Sequence, residues 1–184
     1  MPLRPAFLHK SLVTGLVAGL AVLAAGSATA QQPPAATTLP PPSPQKQYLV
    51  ENAKKPGWMV TASGLQYHVV KRVTGNAPRP LPTDTVVAHY RGTLIDGREF
   101  DSSYSHGQPA TFAINKLIPG WREGIPMMRV GEVWEFAVPS ELGYGNKGAG
   151  DEIAPGATLL FTVELLQIKK PQEENLLDKP AGIR

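Results

Sequence analysis

Leu117-Ile118-Pro119-Gly120-Trp121-Arg122-Glu123-Gly124-Ile125 reads as a single short helix set in an otherwise strand-like chain. Ile118, Trp121, Ile125 and Met128 recur at spacings of three, four and three, which puts the four side chains on one helical face. Pro119 suits the first turn, where its missing N–H would have found no partner. Pro126 withholds the next amide, so the helix is expected to stop near Ile125. An amphipathic helix this short is not stable by itself. It needs a concave sheet to lie in, with Trp121 as the largest apolar group at the bottom of the concavity.

The flanking sequence supplies such a sheet. Leu65 to Val73 alternates Leu65, Tyr67 and Val69 against Gln66 and His68, the pattern of a half-buried strand. Val86-Val87-Ala88-His89-Tyr90 forms a second strand within Asp84 to Ile95, closed by the hairpin signal Asp96-Gly97. Arg98-Glu99-Phe100 starts the return strand, and Asp101-Ser102-Ser103 breaks it. Ala110 to Ile114 is short and strand-like. Gly131 to Pro139 alternates apolar residues with glutamates, and Thr158 to Lys169 is the longest strand pattern. Strands with one inserted helix imply an α+β fold with a strongly curved antiparallel sheet wrapping that helix.

The ends of the chain have a different character. Arg4 and Lys10 precede a 14-residue apolar stretch, Leu12 to Ala25, and Ala28-Thr29-Ala30 supplies a small-x-small cleavage pattern. Residues 1–30 therefore read as a signal peptide cleaved after Ala30, too short in its apolar part to span a bilayer stably. Removing Arg4 and Lys10 from 18 basic residues leaves 16 against 15 acidic ones. That near-neutral balance gives no footing for nucleic acid or for an anionic membrane surface. The absence of cysteine excludes a disulfide framework and a lipid anchor on cysteine. Residues 31–44 hold six prolines and read as an extended linker. Residues 45–62 are a short helix and a connector, 63–170 the folded domain, and 171–184 a charged flexible tail.

The run Val86 to Ser103 (VVAHYRGTLIDGREFDSS) closely resembles the FKBP-type peptidyl-prolyl cis-trans isomerases. Ile118-Pro119-Gly120-Trp121, Ser140-Glu141-Leu142-Gly143-Tyr144-Gly145 and Ala157 to Leu165 (ATLLFTVEL) agree in order and spacing, so the resemblance covers about Ser63 to Lys169. Tyr48 to Lys55 and Ala62 to Tyr67 are similar to the exported bacterial branch of macrophage infectivity potentiator type. The resemblance implies a five-stranded antiparallel half-barrel around the short helix. It implies catalytic roles for Tyr90, Asp101, Tyr144 and Phe161. Phe100, Phe112, Leu117, Ile118, Trp121 and Ile153 would bind substrate. Ala110 and Ala149 stand where well-known eukaryotic members have an aromatic residue and a histidine, which thins the rim and leaves the floor intact. Members of the branch carry a helical dimerisation region where this chain has its proline-rich linker, so a monomer is expected.

The implied substrates are proline-containing unfolded or newly exported polypeptides in the bacterial periplasm, with macrolide inhibitors as further ligands. No cofactor, metal, nucleic acid or stable membrane insertion is expected. Rotation about X-Pro moves no proton and breaks no bond, so the chemistry asks for an apolar pocket and hydrogen-bond donors rather than a base. Without the resemblance, Trp121, Phe112 and Phe161 would read as ordinary core. The same concavity would also serve a chaperone that holds chains without turnover, or a small-ligand carrier. Three other signals mislead. Gly143-Tyr144-Gly145-Asn146-Lys147-Gly148 matches G-x-G-x-x-G but leads into a strand, so it is a loop and not a dinucleotide site. Asp101, Ser102, Ser105 and His106 share one turn with no triad geometry implied. His68, His89 and His106 lack metal-ligand spacing.

Overall fold

The computed structural model describes residues 42–169, so the expected signal peptide, most of the linker and the tail lie outside the described residues. Within them run α1 (Pro44–Asn52), β1 (Trp58–Val60), β2 (Gln66–Lys71), β3 (Thr85–Leu94), β4 (Glu99–Ser102), β5 (Ala110–Ala113), α2 (Pro119–Gly124), β6 (Val133–Val138) and β7 (Leu159–Lys169). Short 3₁₀ turns at Ile114–Lys116, Ile125–Met127 and Ser140–Leu142 punctuate the chain. No helix among the described residues is long and apolar enough to cross a membrane.

The sheet is antiparallel, in the order β1-β2-β6-β7-β3-β4, with β5 also paired to β3. The seven segments reconcile with the five expected strands. β5 pairs with Thr85 to Ala88 and β4 with Arg91 to Thr93, so both occupy one flank of β3 as a single interrupted strand. Trp58–Val60 then adds an edge strand that alternation could not reveal in three residues. The interruption follows Ser102, and Ser103 heals it. The Ser103 hydroxyl accepts from the Tyr90 amide at 2.9 Å and donates to the Tyr90 carbonyl at 3.1 Å, while the Ser103 amide reaches that carbonyl at 3.0 Å. Tyr90 thus keeps its backbone satisfied where its strand partner departs.

α2 rests on the inner face of this sheet. Its apolar face falls as the spacing predicts: Trp121, Ile125 and Met128 are buried and Ile118 is half-buried. The α-helix ends at Gly124, and Pro126 sits in a 3₁₀ turn closed by the Met128 amide on the Ile125 carbonyl at 3.0 Å. Two glycines set how closely helix and sheet approach. A Cβ on Gly120 would lie 2.7 Å from Val138 Cγ1, and one on Gly124 would lie 2.6 Å from a ring carbon of buried Phe136. Nearby, buried Glu132 accepts from the Arg129 amide at 2.9 Å and from Trp134 Nε1 at 3.0 Å, so that carboxylate is not left bare.

The strand reading of residues 65–73 needs one correction. Gln66 was assigned to the solvent face, yet it is buried. α1 lies across the outer face there: Gln66 Nε2 donates to the Leu49 carbonyl at 2.8 Å, and Asn52 Nδ2 donates to Gln66 Oε1 at 2.9 Å. Gln45 further accepts from the Thr158 amide at 2.8 Å. Alternation within a strand reports one covered face and is silent about a helix laid over the other. α1 also begins one residue earlier than expected, at Pro44, with the Ser43 hydroxyl accepting from the Lys46 amide.

Gly124 has an ordinary helical backbone, φ −74° and ψ −42°, so alanine there would gain helix propensity of about 1 kcal/mol. Overpacking against Phe136 costs about 1–3 kcal/mol and should win. Urea unfolding of Gly124→Ala is expected to give a lower midpoint than the wild type; an unchanged or higher midpoint would mean that Phe136 yields without strain.

Candidate active site

A cavity of about 250 Å³ opens over α2 at the side of β3, β4 and β5. Its floor is Trp121, only 4% exposed, and the surrounding rings meet it edge-on. Tyr90 stands 5.4 Å from the indole at 86°, Phe112 5.4 Å at 88°, and Phe161 5.0 Å at 74°, centroid to centroid. Phe100 continues the wall against Phe161 at 5.6 Å and 87°. Edge-to-face contacts suit the ring quadrupoles and lock the walls against collapse. Leu117 and Ile118 complete the apolar lining, and Tyr144 stands at the rim, 41% exposed.

Trp121 and Trp134 show why the floor is not merely core. Both are buried, but Trp134 gives its N–H to Glu132, whereas Trp121 Nε1 has no partner among the described residues. Buried donors are usually satisfied, and an exception under an open cavity makes Trp121 a candidate functional position. The Ile118 amide, just ahead of α2, also donates to no group among the described residues. Tyr144 forms no side-chain hydrogen bond among them either. The mouth therefore offers two unused donors, a backbone N–H and a phenol.

Asp101 accepts from the Tyr90 hydroxyl at 2.7 Å. Burial first, then the hydrogen bond and charge of Asp101, hold the Tyr90 phenol well above its ordinary pKa of 10.0. Tyr90 is accordingly a neutral donor, and its carboxylate partner has its attention taken. That arrangement positions groups; it does not present a free base.

Of the ten residues expected at the site, nine line the cavity together. Ile153 does not. It is buried in the core, and its backbone forms an antiparallel bridge with Ala149 that closes the loop after Tyr144. Ala110 and Ala149 are likewise half-buried and off the lining. Two positions were missed. Lys116 reaches the cavity from the end of its 3₁₀ turn. Gly92 lies beneath the wall, where a Cβ would sit 2.7 Å from Phe100 Cζ and 3.0 Å from Phe161 Cε1. A glycine inside a strand was the available signal for that close approach.

The misleading motifs resolve as structure. His106 Nδ1 and the Ser105 hydroxyl both contact the Ser102 carbonyl, at 2.8 and 2.6 Å, so the turn is self-satisfied and forms no triad. No cluster among the described residues could hold a metal ion. A second cleft of about 280 Å³ lies under α1 on the outer face, between Tyr48, Asn52, Arg91 and Glu135. Its lining is more polar, and the indole it contains, half-buried Trp58, stacks on His68 at 5.8 Å instead of forming a buried floor.

Residues 77–166 match the family model described as FKBP-type peptidyl-prolyl cis-trans isomerase, and residues 21–69 match the domain amino-terminal to it. A crystal structure of a peptidyl-prolyl cis-trans isomerase from Pseudomonas syringae pv. tomato superposes with a TM-score of 0.64 at 32% identity, over 68% of this chain and 91% of that one. The chain belongs to the FKBP-type peptidyl-prolyl cis-trans isomerases. It is 53% identical over 126 residues to the isomerase FkpA of Aeromonas hydrophila, covering 68% of this chain and 46% of the relative. It is 45% identical over 123 residues to the outer membrane protein MIP of Legionella longbeachae, covering 67% and 52%. The chain thus spans about half the length of these curated relatives. In this FKBP domain the matched region carries the whole cavity, from Tyr90 to Phe161.

Because the fold favours the neutral phenol, the stability it contributes is complete below pH 10.0 and is lost as pH rises through the elevated pKa of Tyr90. A spectrophotometric titration should show a phenol ionising well above pH 10.0, and Tyr90→Phe should remove that most alkaline component. Persistence of that component would assign it elsewhere.

Proposed function

We propose that this protein is a peptidyl-prolyl cis-trans isomerase acting on X-Pro bonds of exported polypeptides, and that the cavity over Trp121 is where rotation occurs. The observation that carries this reading is the pairing of an aromatic, apolar floor with unused donors at the mouth. An ordinary core would not leave the Ile118 amide and the Tyr144 hydroxyl without acceptors beside an open pocket.

The reaction must overcome loss of partial double-bond character, a barrier of ~18–20 kcal/mol for an amide. Bringing tens of seconds down to milliseconds takes roughly 4–7 kcal/mol. The planar amide is more dipolar than the twisted one, so stripping water from it in an aromatic pocket favours the twisted form. The prolyl ring rests on Trp121 between Phe112 and Phe161. The Ile118 amide and the Tyr144 hydroxyl hold carbonyls on either side of the rotating bond, at about 0.5–1.5 kcal/mol each. Asp101 keeps the Tyr90 ring and hydroxyl fixed in the wall. Ile153 acts at one remove, through the bridge that holds the Tyr144 loop. Macrolide inhibitors would occupy the same floor. The leader-like sequence at residues 1–30, with the FkpA and MIP relatives, supports export to the periplasm.

In a protease-coupled assay on a short proline peptide, Tyr144→Phe should lower kcat/KM by roughly two- to tenfold, the worth of one hydrogen bond. Asp101→Leu and Phe161→Ala should each lower it by at least about tenfold. Binding of the peptide without acceleration in the wild type would favour a chaperone that holds chains instead.

The rate should also be nearly flat between about pH 6 and 8, since Tyr90 stays protonated throughout and no base takes part. A bell-shaped profile would contradict the mechanism.

A further inference from the structure

We infer that Lys116 is a specificity-determining residue of this cavity, drawing substrates that carry a carboxylate beside the proline. The inference rests on the isomerase reading of the same site. One acidic and one basic side chain line the cavity, Asp101 and Lys116. Asp101 is engaged by the Tyr90 hydroxyl at 2.7 Å. Lys116 has no carboxylate within salt-bridge distance among the described residues, whose ion pairs are Lys54–Glu51, His68–Glu135 and Arg91–Glu99. Among the described residues its ammonium is the uncompensated charge at the mouth.

Its place in the chain makes that charge selective. Lys116 ends the turn closed by the Leu117 amide on the Ile114 carbonyl at 3.1 Å. Two residues later comes the Ile118 amide, the donor left free for a substrate carbonyl. A polypeptide gripped there must run past Lys116. Lys116 lines the cavity yet is exposed, and a long lysine stem can cover apolar surface while its charged head stays in water. A carboxylate on the passing flank meets an unpaired cation, and a basic side chain meets repulsion. Because the ammonium is exposed and its side chain must be ordered, the effect is modest, roughly two- to fivefold on an acidic over a basic flank. Salt should erase it, since the Debye length shrinks to about 3 Å at 1 M.

The test uses peptides with Glu, Gln or Lys immediately before or immediately after proline, on the wild type, Lys116→Gln and Lys116→Glu, at low and high ionic strength. The readout is the ratio of kcat/KM for the Glu and Lys peptides within each protein. The wild type should prefer Glu on the flank nearer Lys116, Lys116→Gln should bring the ratio near one, and Lys116→Glu should invert it. The change should lie in KM rather than kcat and should vanish at high salt. A packing role for the side chain would move all peptides alike and leave the ratio untouched. Equal ratios in the three proteins, a wild-type preference for Lys, or a Glu preference that survives high salt would overturn the inference. Should no peptide be accelerated, Gln peptides included, the isomerase reading fails by itself. Dissociation constants from NMR titration then decide the charge preference by the same ratios.

Discussion

Three edge-on aromatic contacts to one indole govern this molecule. Trp121 meets Tyr90, Phe112 and Phe161 at 5.0 to 5.4 Å, and those rings come from β3, β5 and β7. A six-residue helix has too few internal hydrogen bonds to persist in water, so its existence depends on this burial. The sheet depends on the helix in turn, because its inner face would otherwise present a broad apolar surface. The same perpendicular geometry that holds the helix keeps the rings apart at their upper edges. A flat stacking of those rings would fill the space that the cavity occupies.

Backbone detail converts that packing into a site. Gly92 removes the one Cβ that would push Phe100 and Phe161 apart. Gly120 and Gly124 bring α2 within touching distance of Val138 and Phe136, which sets the depth of the floor. Ser103 replaces a lost strand partner at Tyr90 where the chain leaves β3, while Asp101, still paired with Gly92 in β4, meets the phenol at 2.7 Å. The donors at the mouth come from places where regular structure stops: the residue before α2 and the loop after β6. Regular elements hold the aromatic walls, and element ends supply the polar groups at the mouth.

Both faces of the sheet are engaged, by different chemistry. Inside, the contacts are apolar and aromatic. Outside, α1 is fastened through amides, with Asn52 bound to Gln66 and Gln66 to the Leu49 carbonyl. This asymmetry explains how buried Gln66 stands one position from buried Leu65. It also separates the polar outer cleft from the aromatic cavity over Trp121.

The amino-acid sequence alone determined the short helix, its buried face and its end at Pro126, because helical spacing and proline chemistry are local. Every strand but the three-residue Trp58–Val60, and the Asp96-Gly97 hairpin, are equally legible, for the same reason. Family motifs added eight of the nine residues that line the cavity with Trp121. What only the tertiary structure decided involves partners distant in the chain: the burial of Gln66 under α1, the splitting of one strand position into β4 and β5, the retreat of Ile153 into the core, and the arrival of Lys116 at the rim. No periodicity encodes these, since each is fixed by what packs across from it. The contrast between Trp121 and Trp134 is the sharpest instance. Both indoles end in the core, and only folding reveals that one finds Glu132 for its N–H while the other is left under an open cavity.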